Sequence, residues 1–487
     1  MEIPQEVNSI INKLEKAGFE AFIVGGCVRD LLRGTKPKDW DVATNAKPEQ
    51  IRKVFPKSYI DNKFGTVTVL TESSDPTLKE VEITPYRIDE KYTDKRHPDK
   101  VHWAKTIRED LARRDFTINA MAARISEKKK ALEIIDPFFG QKDLKEKIIR
   151  AVGDPQERFS EDALRMMRAV RFATILGFEI EKNTFLAIKK NASWLKVISK
   201  ERVRDEFMKI IMSENAAQGV ELLRKLGLLR YIIPELEEGY GVTQNKHHIY
   251  DVYEHSLRSL DYAAKKNFNK YVRLAALLHD IAKPRVKKGE GPDATFYNHE
   301  IVGARMTREI LERLRFPKKD IEKIVKLVRY HLFYYNVGEV GESSVRRLLR
   351  RVGKENIKEL VQVRMCDRIG SGCPKALPYK LRHFLYVVDK VSQDPIDVKM
   401  LKIGGNEIMQ TLKIPPGPMI GQILQILLGE VLDDPSRNKK EYLLKRVKEL
   451  GKLDQETLKK ESLEAKKKIN EVIIKKDKMT KEKYWVA

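Results

Sequence analysis

The stretch Phe22–Asp41, FIVGGCVRDLLRGTKPKDWD, sets side chains of unlike chemistry in a useful order. An apolar, strand-like run (Ala21–Val24) stops at Gly25-Gly26 and gives way to an amphipathic helical stretch with Arg29 and Asp30. Adjacent glycines let a backbone approach a ligand closely and adopt φ values that other residues avoid. Free amides at the start of the next helix, with Arg29 beside them, make an anion site. Asp39 and Asp41 are two apart and share a face if they lie on a strand. Two neighbouring carboxylates repel unless a cation sits between them. The economical reading is a Mg²⁺ site beside a phosphate cradle, the parts needed for nucleotidyl transfer.

Two later segments carry further chemistry. In Leu111–Met121, LARRDFTINAM, the pair Arg113-Arg114 with Asp115 reads as the lead into a helix, and Asn119 follows within it. Arginines there suit phosphate or ribose oxygens, or simply a solvated first turn. In Phe159–Arg168, FSEDALRMMR, Ser160 reads as an N-cap, with acidic residues in the first turn. Asp162 and Arg165 are then expected on one helical face, paired with each other. An isolated i,i+3 pair is also ordinary surface decoration. Arg168 and Arg171 extend the basic side, and Arg202 in KERVRDEF is a further candidate for the same site.

A second centre is expected from His255, His279-Asp280 and Asp367, with the His-Asp pair inside the apolar stretch RLAALLHDIAK. Such a pair is costly to bury unless something satisfies both groups, and a divalent metal does so. His299 and His331 are candidate ligands for a second ion. Six of the nine histidines (His247, His248, His255, His279, His299 and His331) fall in this one region.

These motifs resemble a family. GGCVRD followed by DWD, then RRDFTIN, then EDALRMMRAVRFA, is similar to the signature series of the class II tRNA nucleotidyltransferase/poly(A) polymerase family, and the H…HD…D pattern resembles the HD phosphohydrolase superfamily. The resemblance implies that Asp39 and Asp41 bind Mg²⁺ and are catalytic, and that Gly25, Gly26 and Arg29 hold a triphosphate. It implies that Arg114, Asp115, Asn119 and Arg168 serve the nucleotide's sugar and phosphates. It also implies that Asp162 and Arg165 hydrogen-bond the Watson–Crick edge of the incoming base. C and A each present an amino donor beside an acceptor nitrogen, so such a pair selects them over U and G without a template. Arg87–Trp103 is polar and poorly patterned, which by itself reads as a surface loop. In the family that position is a loop that shifts as the selected nucleotide changes.

The expected function is therefore addition of CCA to the 3′ end of tRNA from CTP and ATP. An A-adding enzyme and a poly(A) polymerase share the framework. The intact 87–103 segment argues against a CC-only enzyme, and Ala163, where polymerases commonly have proline, is a weak cue. A reading of another class makes the HD centre (His255, His279, Asp280, Asp367) a metal-dependent phosphohydrolase with the first domain as RNA grip.

Composition agrees with a nucleic-acid partner. Lys+Arg 95 against Asp+Glu 71 gives a net charge of +24 over 487 residues, which favours a polyanion. Three cysteines (Cys27, Cys366, Cys373) are too few for a disulfide framework. No apolar run approaches a bilayer span and the N-terminal stretch has no signal-type core, so a cytoplasmic protein without a membrane partner is expected.

The elements follow from periodicity. Val7, Ile10, Ile11 and Leu14 predict a helix over residues 4–17. A helix from Lys47–Glu49 and strands at Ser58–Ile60, Thr66–Leu70 and Glu80–Tyr86 follow. Glu82, flanked by apolar residues, is either a third acidic group at the metal pair or a water-facing edge residue. Interleaved strands and helices predict an α+β palm with a mixed sheet, then all-helical domains. The expected divisions are a nucleotidyltransferase head (1–140), a helical neck binding RNA and nucleotide (141–245), an HD domain (246–375) and a basic helical tail (376–487).

Overall fold

The site face belongs to a sheet whose central strands are buried on both sides, β1 at every position. A computed structural model of the chain describes residues 3–61, 65–90, 100–125, 132–245, 249–392 and 397–486. His247, His248 and the centre of the 87–103 segment, residues 91–99, lie outside the described residues. The chain divides into two units, Met1–Leu332 with Glu359–Ala376, and Phe333–Lys358 with Leu377–Ala487.

In the first unit the strands up to residue 135 are β1 (Ala21–Val24), β2 (Asp41–Thr44), β3 (Ser58–Ile60), β4 (Val67–Leu70), β5 (Glu80–Pro85), β6 (Arg87–Glu90), β7 (Lys100–Trp103), β8 (Ala122–Ile125) and β9 (Leu132–Ile135). Seven of them form a mixed sheet in the order β3-β4-β5-β2-β1-β8-β9, with β2 and β5 its parallel pair. Helices α1 (Gln5–Lys16), α2 (Gly26–Leu32) and α3 (Pro48–Val54) are the predicted ones. Val7, Ile10 and Leu14 of α1 and Ile51 of α3 pack on Ile23, Val42 and Ile83. Full burial of such a side chain stabilises by about 1.5–3 kcal/mol. Side chains of alternate parity face the other way, so Phe22, Val24 and Ala43 line a second cluster and Asp41 and Glu82 share their side of the sheet.

The 87–103 segment is not a plain loop. Its ends pair as an antiparallel β6–β7 ribbon, with Arg87 opposite Trp103 and Ile88 opposite His102. In the sequence, Val101 and Trp103, two apart, and the single Ile88 give a short apolar signal amid many charged residues.

Helices α4 (Ile107–Ala112), α5 (Gly140–Glu146), α6 (Pro155–Glu161), α7 (Leu164–Leu176), α8 (Lys182–Asn191), α9 (Lys200–Ile211) and α10 (Ala216–Lys225) complete the first part of this unit. The buried pair Arg171–Glu206 (2.9 Å) ties α7 to α9. The unit continues into the helices Val252–Lys265, Lys270–Leu278, His299–Arg313, Lys318–Tyr330 and Ile357–Gly370. Arg273, 1% exposed, donates to the carbonyls of Ile211 (3.0 Å), Ser213 (2.6 Å) and Phe268 (2.8 Å). A single guanidinium thus satisfies carbonyls that the end of α9 leaves open.

The second unit is helical, as expected. Ile408, Ile423, Leu427, Leu443, Val447 and Leu458 form its core, and Pro418 opens a helix after Gly417. Its last helix, Gln455–Tyr484, is capped by Asp454, whose side chain accepts from Thr457 N at 2.9 Å. Among the described residues no helix is long and apolar enough to cross a membrane.

Candidate active site and candidate metal centre

One pocket is lined by Gly25, Gly26, Arg29, Asp39, Asp41, Glu82, Arg114, Asp115, Asn119, Asp162, Arg165 and Arg168, which includes every nucleotide-site residue expected from sequence. β1 delivers Gly25, whose φ of +78° suits glycine. A Cβ there would lie 2.7 Å from Arg114 Nη1 and 3.7 Å from Asp41 Oδ2. The missing side chain is what lets Arg114 and Asp41 approach the turn.

Asp41 opens β2, while Asp39 precedes the strand, so only one of the pair is on it. Both still face the pocket. Glu82 stands directly opposite Asp41 in the parallel β2–β5 ladder and opposite Thr68 on the other side, so its strand is internal to the sheet and not an edge. Burial raises the Asp41 carboxyl to about 6; Arg114 opposes the rise, and Asp39 and Glu82 add to it. Burial also raises Glu82, helped by Asp61 and Asp39. Asp39, Asp41 and Glu82 line one pocket and offer oxygen donors of the kind a hard divalent cation takes.

RRDFTIN is arranged differently from its expected place at a helix start. Thr106 and Glu109 form a capping box that begins α4 earlier, so Arg113 and Arg114 fall at the helix's C-terminal end. Both arginines pair with the fully buried Asp110 (2.7 and 3.2 Å). Cations are favoured at that end by the helix dipole. Asp115 accepts from Asn119 Nδ2 (3.2 Å) and pairs with Arg168 (2.6 Å), and Asn119 accepts from Arg29 (2.8 Å). Burial alone would raise Asp115, but Arg168 and Arg165 bring it down to about 2. This chain of contacts joins three distant motifs.

Asp162 and Arg165 do not pair with each other. The helix expected from Ser160 is broken: Ser160 lies inside α6, and Asp162 has extended backbone (φ −141°, ψ 105°) between α6 and α7. Spacing rules for one helical face fail across such a break. Asp162 Oδ1 instead accepts from Leu164 N (3.0 Å), and Oδ2 accepts from Arg202 (2.7 Å). Arg165 pairs with Glu161 and donates to the Arg113 carbonyl (3.0 Å). Arg202 was a candidate from sequence; Glu161 as partner of Arg165 was missed, although its i,i+4 spacing was a usable signal.

The second cluster forms as expected and is larger than its four core members. His255 Nε2 lies 2.9 Å from His279 Nε2. Asp280 Oδ2 is 3.2 and 3.3 Å from His255 and His279, and Oδ1 is 3.4 and 3.7 Å from His299 and His331. Asp367 Oδ1 is 3.5 Å from His255. His279, His299 and His331 each place Nδ1 2.7–2.8 Å from a backbone carbonyl. That contact fixes the Nδ1–H tautomer and turns an Nε2 lone pair inward. The inward Nε2 of His279, 2.9 Å from His255 Nε2, is met there by a proton or by a cation. Against burial, Asp280 and Asp367 raise His279 to about 10, whereas burial and the charge on His279 bring His331 down to about 3. A divalent cation supplies the same charge with better geometry, so the donor set fits one. Gly370 makes this possible: a Cβ would collide with Ser259 Oγ and sit 2.8 Å from His255 O, so only glycine lets the Asp367 helix approach. Lys283 (2.7 Å from Asp280), Arg364 and Arg368 line the adjoining pocket.

Comparison with known proteins matches the domains in which the two centres lie. Residues 21–150 match the "Poly A polymerase head domain", 177–239 the "Probable RNA and SrmB- binding site of polymerase A", and 252–371 the "HD domain". Nucleotidyltransferase and HD domains generally need divalent metals. The CCA-adding enzyme of Lactococcus lactis subsp. lactis is 33% identical over 453 residues, covering 92% of this chain and 99% of that protein. The A-adding tRNA nucleotidyltransferase of Deinococcus radiodurans is 33% identical over 440 residues, covering 84% of this chain and 92% of that protein. The crystal structure of the Bacillus stearothermophilus CCA-adding enzyme in complex with CTP superposes with a TM-score of 0.60 at 28% identity, covering 92% of this chain and 98% of that one. This chain belongs to the class II tRNA nucleotidyltransferase/poly(A) polymerase family, of the bacterial CCA-adding type with an HD domain.

Proposed function

We propose that the protein completes tRNA by adding C, C and A to its 3′ end from CTP and ATP, without a nucleic-acid template. The observation that carries this reading is one pocket lined by an acidic pair, a glycine turn with arginines, and the carboxylate and guanidinium of Asp162 and Arg165. Asp39 and Asp41 hold Mg²⁺, favoured over softer ions by an all-oxygen donor set. Bound there, the ion would supply a Lewis acid for the RNA 3′-hydroxyl and positive charge for the departing pyrophosphate. Gly25, Gly26 and Arg29 hold the triphosphate, and Arg114, Asp115, Asn119 and Arg168 complete the sugar and phosphate contacts. Asp162 accepts from the exocyclic amino group of C or A, and Arg165 donates to the ring acceptor beside it. The divisions read from sequence (1–140, 141–245, 246–375 and 376–487) give head, neck, HD domain and tail. The basic helical parts grip the tRNA end through phosphates rather than by sequence. A tRNA substrate supports the reading of a cytoplasmic protein.

A second activity has its own support. Convergence of four imidazoles on the two oxygens of Asp280, with three cationic side chains at the rim, favours a metal-dependent phosphohydrolase centre. The two readings separate in one assay. With tRNA lacking CCA, Asp41→Ala abolishes nucleotide incorporation and His255→Ala leaves it intact; the opposite pattern moves the function to the HD centre.

A further inference from the structure

Three arginines of the pocket gather around one aromatic ring. The guanidinium carbons of Arg29, Arg168 and Arg171 lie 5.3, 5.4 and 4.3 Å from the centroid of Phe172. Phe172 is 8% exposed, lines the pocket, and is locked edge-on against the buried Phe116 (centroids 5.8 Å apart, planes at 80°). Each arginine is also held at its other side, Arg29 by Asp30 (2.9 Å), Arg168 by Asp115 (2.6 Å) and Arg171 by Glu206 (2.9 Å). Crowding has a cost that registers on Arg171, which burial and then the charges of Arg168 and Arg29 push below its ordinary pKa, against Glu206. The negative face of an aromatic ring attracts cations without adding a formal charge that would repel a phosphate. A further carboxylate in that place would neutralise the arginines; an aliphatic side chain would add no attraction to that of Asp30, Asp115 and Glu206.

We propose that Phe172 is a positioning residue that holds Arg29, Arg168 and Arg171 together as a preformed receiver for the nucleotide's triphosphate. The proposal rests on the nucleotide-binding reading given above. Preorganisation lowers the cost of binding because the cations are already gathered. The receiver acts on the part common to CTP and ATP, so Phe172 affects both nucleotides equally, whereas Asp162 and Arg165 act on the base.

The test measures binding of CTP, ATP and inorganic triphosphate to the full chain, with kcat and KM for each nucleotide, in wild type and in Phe172→Leu, Phe172→Tyr and Phe172→Trp. Thermal melts ensure that binding is read below each variant's transition. Phe172→Leu keeps apolar bulk and loses the ring; it weakens all three ligands about tenfold, the loss of roughly one desolvated cation–ring contact, and raises KM more than it lowers kcat. Phe172→Tyr and Phe172→Trp restore affinity to within about twofold, since ring faces carry the interaction. Unchanged triphosphate binding in folded Phe172→Leu overturns the proposal, as do ring-bearing variants no better than Leu, or losses that differ between CTP and ATP. A wild-type chain that binds none of the three ligands overturns the nucleotide-binding reading itself.

Discussion

Asp162 and Arg202, 40 residues apart in the chain, meet at 2.7 Å in the pocket. The guanidinium reaches both carboxylate oxygens, with the second contact at 3.4 Å, while Leu164 N holds Oδ1 from the helix side. An aspartate fixed from two directions presents its remaining lone pairs in one orientation, as reading a base edge requires.

Removing that support has a measurable cost. Arg202→Ala is expected to lower kcat/KM for both CTP and ATP about 10- to 100-fold, or roughly 1.4–2.8 kcal/mol. Discrimination against UTP falls with it, because an Asp162 held only by Leu164 N is less firmly oriented toward the base edge. Arg202→Lys recovers part of the rate, since lysine cannot reproduce the forked contact. Steady-state kinetics with CTP, ATP and UTP check all three points.

Gly25→Ala tests the close approach at the turn. The new methyl group would lie 2.7 Å from Arg114 Nη1 at a φ of +78°. The strained backbone costs on the order of 1 kcal/mol, and displacement of Arg114 lowers incorporation at least tenfold. Urea unfolding and nucleotide incorporation separate the two effects.

Asp41 gives a pH signature in the metal-free protein. Its folded pKa of about 6 lies above the ordinary carboxylate value of 3.8. The folded state therefore binds the proton more tightly, so this group favours folding below pH 3.8 and loses that contribution as pH rises through about 6. With chelator present, wild type and Asp41→Asn are expected to melt alike in acid, and the variant is expected to melt a few degrees higher at neutral to basic pH. Added Mg²⁺ raises wild type more than the variant, which keeps only the HD centre for a divalent ion. Activity falls as protons displace the cation on acidification. Melting curves at both pH extremes, with and without Mg²⁺, read the signature.

The HD centre gives a prediction that does not depend on finding its substrate. Metal analysis of the purified chain is expected to find divalent ion beyond that held at Asp39 and Asp41. His255→Ala and His331→Ala each lower that content while leaving CCA incorporation within about twofold of wild type. Asp280→Ala, in contrast, leaves Lys283, 5% exposed, buried without its carboxylate; unfolding by denaturant is expected to show a loss of about 3–5 kcal/mol.

Local signals carried much of this organisation. Gly25-Gly26 before a helix, Asp39-Trp40-Asp41, and a histidine-rich apolar region all report on residues near in sequence, and each has a counterpart in the fold. The failures share a cause. Spacing alone paired Asp162 with Arg165, but the chain leaves helical geometry at Asp162, and the actual partner comes from α9. RRD read as a helix start because its apolar residues follow it, whereas the capping box Thr106–Glu109 had already begun and spent the helix. The ring around Phe172 depends on residues from α2 and α7 meeting, which no local pattern encodes.

The central claim is tested most directly with three tRNA transcripts, one lacking CCA, one ending in CC and one complete, given labelled CTP and ATP singly and together with Mg²⁺. The account predicts that the bare transcript gains C and C from CTP alone and CCA from both nucleotides, that the CC-ended one gains a single A, and that the complete one gains nothing. Extension of the CC-ended transcript alone, long A tails, or no incorporation at all would each contradict it.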